Sequence, residues 1–178
     1  MSAGENREFW LRGPIPDISD LLQPTAHALL QAREEVNMLM TAFPDDLLWE
    51  RPGGVASPGF HLQHLAGVLD RLLTYARDMA LNHVQLKDLA IEGTPAEGQS
   101  TVAELLNRFN IQIDKALEQI SQTPESTLTE IRHVGRARLS STVAGVIFHA
   151  AEHTQRHTGQ LLVTVRVLMA QHRLRQPL

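Results

Sequence analysis

The sequence predicts an all-α protein, a four-helix bundle with a long connection between its second and third helices. Three observations carry that expectation. Four stretches, each of about 20–30 residues, place their apolar side chains three and four positions apart, the repeat of one helix face. No stretch shows the apolar–polar alternation of a half-buried strand. Hydrophobic residues make up 43% of the 178, enough to close a core without disulfide or metal staples.

Residues 1–15 mix charges of both signs with Gly13 and Pro14 and predict an irregular lead-in. A single domain is expected over residues 16–178. From Ile18 to Phe43 a first helix is expected, with Leu21, Leu22, Leu29, Leu30, Val36, Leu39 and Met40 on its inner face. Pro24 fits near its first turn, where a missing N–H is harmless. Pro44-Asp45-Asp46 ends it, and the Pro- and Gly-rich run from Trp49 to Gly59 reads as a loop. Ser57 then caps a second helix with Pro58 at its first position. Its stripe is Leu62, Leu65, Val68, Leu69, Leu72 and Leu73. Residues 82–99 mix short helical signals with Gly93, Pro95 and Gly98 and read as the long connection. Ser100 opens the third helix, with Glu104 close to a capping-box position. Leu105, Leu106, Phe109, Ile113, Leu117 and Ile120 form the inner face of that helix, which runs to about Gln122. The polar, Thr- and Arg-rich run Pro124–Arg138 reads as a loop or a short extended piece. The last helix starts at Ser140 or Ser141 and runs to about His172. Met38, Met40 and Met79 read as core fillers. Trp49 and Arg51 read as packing over a bundle end, and Arg166, Arg173 and Arg175 as solvated.

Composition excludes several functions. Sixteen Lys and Arg against twenty Asp and Glu leave a net charge of −4 and a pI near 6.1. That balance lacks the basic face nucleic acid requires. Five Phe, two Trp and one Tyr are too few for a base-stacking platform. The absence of cysteine removes disulfides, thiolate metal sites and a cysteine nucleophile together. The N-terminal run has no apolar core of a secretory signal. The apolar stretch Gln160–Ala170 is short and carries Arg166, whereas a membrane helix needs roughly 20 apolar residues. A cytoplasmic protein that engages neither membrane nor nucleic acid is expected.

Nine histidines stand out. In FHAAEHTQRHTGQL, His149, His153 and His157 are spaced by four. On a helix each such step turns about 40° and rises about 6 Å, so the rings form one slowly winding stripe. Adjacent members of the stripe can share a metal ion; the outer two are about 12 Å apart, too far for all three to do so easily. In HLQHLAG, His61 and His64 lie at i, i+3 on the second helix. Two ligands from the last helix and one from the second would complete a three-histidine site. Such a site keeps a position open for water or substrate, the mark of a catalytic rather than a closed structural ion. The structural alternative is a set of packing or surface histidines, with Glu152 and Gln160 as ordinary surface residues. Asp70 and Arg71 read as an internal ion pair or part of a substrate pocket.

The phrases SPGFHLQHLAGVLDRLLTYA and HAAEHTQRHTGQL, in that order and about 90 residues apart, resemble the DinB/YfiT-like family of four-helix metalloproteins. The resemblance covers about residues 18–172. It implies three metal ligands, at His64, His153 and His157, with His61 and His149 as neighbours. Where the family pattern has an arginine after the last histidine, this chain has Thr158, with Arg156 on the other side of His157. The resemblance further implies a divalent ion, zinc or nickel foremost, and often a homodimer. Its function would be either transfer of a low-molecular-weight thiol to a small electrophilic substrate or metal-dependent hydrolysis. For hydrolysis, His61, His149 and Glu152 are the candidate bases. A non-catalytic metal-binding module is the third reading.

Overall fold

The structure, a computed structural model, describes residues 7–175. The first six residues of the expected lead-in, and the last three of the chain, lie outside the described residues. Helix α1 spans Gln23–Met40, α2 Pro58–Ala76, α3 His83–Ile91, α4 Val102–Ser121 and α5 Val143–Arg175. Strands β1 (Ile131–Val134) and β2 (Leu139–Thr142) pair antiparallel just before α5, with Ile131 opposite Thr142 and Val134 opposite Leu139. Four long helices form the expected bundle.

Local chemistry sets the helix ends. Pro24 lies in the first turn of α1, which therefore begins at Gln23 rather than Ile18. Leu21 precedes the helix and is exposed. The Ser57 hydroxyl accepts the Phe60 N–H at 3.1 Å, and Pro58 opens α2, as expected. Thr101, one residue later than expected, caps α4 in a full capping box with Glu104. Glu104 also accepts the backbone N–H of Ser100.

Two segments take definite form in the structure. The long connection between the second and third bundle helices contains α3, opened by a capping box between Asn82 and Gln85. The polar run before the last helix is extended, as one of its two readings had it, and takes Ser140, Ser141 and Thr142 into β2. Helix α5 consequently starts at Val143.

In the bundle, α2 packs between α4 and α5, and α1 packs against the same two helices from the other side. Helices α1 and α2 thus sit on a diagonal. The hydrogen bonds of Gln119 to the Leu73 carbonyl and of Asn110 to Asn37 tie α4 to α2 and α1 respectively. The core comprises Leu29, Val36, Met40, Leu62, Leu65, Leu69, Leu105, Phe109, Ile113, Ile147 and Leu161. Met40 alone of the three methionines belongs to it. Met38 and Met79 are exposed. Trp49 covers the start of α2, where a Cβ on Gly59 would lie 2.6 Å from the indole. Arg51 folds back onto the Gly54 and Val55 carbonyls instead. Among the described residues no helix is long and apolar enough to cross a membrane.

Candidate metal centre

Helices α2 and α5 run antiparallel. His61 faces His157 and His64 faces His153, while Arg132, just before α5, reaches the Ala76 carbonyl at the end of α2. The i, i+3 pair on one helix therefore meets the i, i+4 pair on the other. His64, His153 and His157 each offer a nitrogen, and the three nitrogens lie within 4.8 Å of one another. The Nε2 atoms of His64 and His153 are 3.0 Å apart. Two imidazole nitrogens on one tetrahedral zinc, with bonds of about 2.0–2.1 Å, stand about 3.3 Å apart. The observed spacing is close to that of two ligands of a single ion.

Each of two rings has a partner behind it. His64 Nδ1 lies 2.8 Å from Glu92 Oε2. An ionised carboxylate only accepts, so Nδ1 carries the proton and donates it. In the form that ligates a metal, this ring therefore carries its lone pair on Nε2, on the side of the cluster. His157 and His61 face one another through Nδ1 atoms 3.2 Å apart. If His157 turns an Nε2 lone pair to the cluster, its Nδ1–H donates to His61. Phe60 stacks on His64, with ring centroids 5.3 Å apart and planes within 10°, which limits rotation of that ring.

Glu92 follows the last residue of α3 and is itself held. Arg71 Nη1 lies 2.7 Å from Glu92 Oε1, with both side chains under 10% exposed. This is a charge contact rather than an aligned hydrogen bond, because neither atom finds a well-directed partner. Gly67 makes room for the pair: a Cβ there would sit 2.6 Å from Arg71 Nη1 and 2.7 Å from Glu92 Oε1. Burial pushes the Glu92 carboxyl up, but the His64 hydrogen bond and the Arg71 charge outweigh it and leave it below the ordinary carboxylate value. The buried Gln63 accepts the Gly93 N–H at 2.8 Å and donates to the Thr94 carbonyl at 2.9 Å, fixing the backbone just after Glu92.

The donor set fits a divalent cation. Burial, then the charge of neighbouring His64, lowers His61 and His157 to about 4 and also lowers His153. The rings are therefore neutral near pH 7, the state in which imidazole ligates. His153 Nδ1 is buried without a hydrogen-bond partner. Leaving a polar group so costs about 1–3 kcal/mol.

The structure thus gathers His64, His153 and His157. It adds His61 behind His157 and leaves His149 exposed, bound to Glu152 at 3.2 Å. Glu152 is half-exposed and also pairs with Arg156, which points to solvent. Thr158 is buried and donates to the Thr154 carbonyl. Asp70 and Arg71 do not pair with each other: Asp70 accepts from Gln85 on α3 and Arg71 reaches Glu92. Glu92, Phe60 and Gln63 escaped the sequence reading. Phe60 and Gln63 flank the histidines in FHLQHLAG and were findable there. Glu92 lies 28 residues beyond His64, and no spacing rule connects the two. A groove lined by Tyr75, Met79, Leu86, Leu89 and Arg136 lies about three turns along α2 from His64 and includes none of the four clustered histidines.

Compared with known families, residues 28–161 match the sequence model of the DinB superfamily. No curated protein matches the chain.

Proposed function

We propose, from the premise that this chain belongs to the DinB superfamily, that it is a divalent-metal-dependent enzyme. In this reading His64, His153 and His157 hold the ion, which activates a low-molecular-weight thiol for transfer to a small electrophilic substrate. The observation that carries the reading is the convergence of three imidazoles from two helices, without a carboxylate among them. A divalent ion bound by neutral ligands keeps its full charge and lowers the pKa of a thiol or water that it binds.

The chain's own residues supply the rest. Glu92 holds the His64 ring by its Nδ1, which leaves Nε2 to face the cluster, and His61 is the acceptor for a His157 Nδ1–H when that ring ligates through Nε2. Phe60 stacks over His64 and covers one side of it. With no cysteine in the chain, a sulfur nucleophile has to arrive with a cofactor or co-substrate. Hydrolysis would call for a carboxylate or imidazole free to take a proton. Glu92 is engaged by His64 and Arg71, and Glu152 by His149 and Arg156, so in a hydrolytic reaction the base would be an imidazole, His61 or His149.

The test uses zinc- and nickel-loaded protein with a panel of small thiols and electrophiles, beside esters, amides and lactams assayed without thiol. Thiol consumption matched by adduct formation, and lost in His153→Ala, is the expected result. Ester or amide cleavage without thiol would replace this reading with hydrolysis. Metal binding with neither activity would leave a metal-binding module.

A further inference from the structure

Helix α3 is attached to the bundle in an unusual way. Of its residues only Gln85 is buried, and Val84, Leu86 and Leu89 are exposed. Apolar burial, the usual source of helix docking, therefore contributes little. Polar contacts hold it instead: in its middle Arg108 of α4 donates to Asp88 at 2.8 Å, and further contacts lie at its two ends. At the start, Gln85 donates to Asp70 and Thr74 of α2. At the end, Glu92 meets His64 and Arg71, and the backbone just beyond it meets Gln63. The Glu92 carboxylate consequently stands behind His64 only while α3 is docked.

We propose that Glu92 is the positioning residue of His64 and that, through it, docking of α3 and occupancy of the metal centre are coupled. The inference rests on the three-histidine reading above. With α3 docked, the carboxylate fixes His64 as the Nδ1–H tautomer and aims Nε2 at the cluster. With α3 undocked, His64 loses that orienting acceptor, and the Arg71 guanidinium loses its counter-charge. Coupling between two events is reciprocal. An ion that favours the oriented His64 must also favour docked α3.

Three measurements on the full chain test this. Zinc affinity is titrated against a competing chelator for the parent, Glu92→Ala, Glu92→Gln and His153→Ala. Hydrogen exchange of residues 83–94 is followed with and without zinc. The His64 tautomer of the metal-free parent and Glu92→Gln is read by nitrogen NMR. Expected are a loss of zinc affinity of about 10–100-fold in Glu92→Ala and a smaller loss in Glu92→Gln, whose amide oxygen can still accept from Nδ1. Zinc should slow exchange across 83–94 in the parent, and the parent His64 should be protonated at Nδ1. Parent-like affinity in Glu92→Ala with affinity lost in His153→Ala would overturn this proposal and leave the metal centre standing. A parent that binds no zinc would overturn both. Should Glu92→Ala fail to fold, exchange across 83–94 that is indifferent to zinc in the parent would still overturn the coupling.

Discussion

At the scale of single residues, burial and charge proximity set the behaviour of the histidine cluster. Unfolded histidines take up protons near pH 6.5, whereas folded His61 and His157 do so only at about 4. Between those values the unfolded chain binds more protons. Stability of the metal-free protein therefore rises with pH through the window and is lost as pH falls from about 6.5 to about 4. Thermal melts of chelator-treated protein across this range should show a falling midpoint, and His61→Gln should flatten the slope; a midpoint independent of pH would contradict the assigned burial. Gly67 offers a second test. Replacing a mid-helix glycine by alanine ordinarily stabilises by about 0.5–1 kcal/mol. Here the new Cβ meets Arg71 and Glu92 at 2.6 and 2.7 Å, and overpacking of that kind costs about 1–3 kcal/mol. Gly67→Ala should thus destabilise, reversing the usual sign, as denaturant midpoints would report. Histidine spacing on two helices narrowed the candidate ligands to five residues, and the family resemblance selected His64, His153 and His157 among them. The partner of His64 was not legible in the sequence, because Glu92 reaches it through tertiary docking of a segment with no sustained periodic signal.

Among the elements, legibility followed the strength of local signals. The bundle helices carry long apolar stripes, and α2 also opens on a Ser57–Pro58 start that the structure reproduces. Helix α3 has nine residues and buries one of them, so periodicity could not reveal it. Its Asn82–Gln85 capping box was the available clue, overshadowed by Gly93, Pro95 and Gly98 downstream. The hairpin was half-legible: its Thr- and Arg-rich run suggested extension, but Gly135 and Arg138, both at positive φ in its turn, gave no register. Capping at α4 is open to direct measurement. Thr101 accepts the Glu104 N–H while Glu104 accepts the Thr101 N–H. Thr101→Ala should lower stability by about 0.5–2 kcal/mol without affecting zinc affinity, because α4 contributes none of the three clustered histidines.

For the whole molecule, the bundle turns two short sequence motifs 89 residues apart at His64 and His153 into one site. Packing α2 antiparallel to α5 is what joins them. Metal should then act as a fastener across the α2–α5 interface. A ligand bound only by the folded state at 100 times its Kd adds about 2.7 kcal/mol, or a rise in Tm of about 5–10 °C for a chain of this size. Calorimetry with and without zinc should show that rise, and His157→Ala should abolish it. The most direct measurement is the metal content of untagged protein equilibrated with zinc, taken beside His64→Ala, His153→Ala and His157→Ala. About one ion per chain, lost in each variant, is the expected result for a three-histidine centre. No bound ion in the parent, or the same content in all three variants, would contradict it.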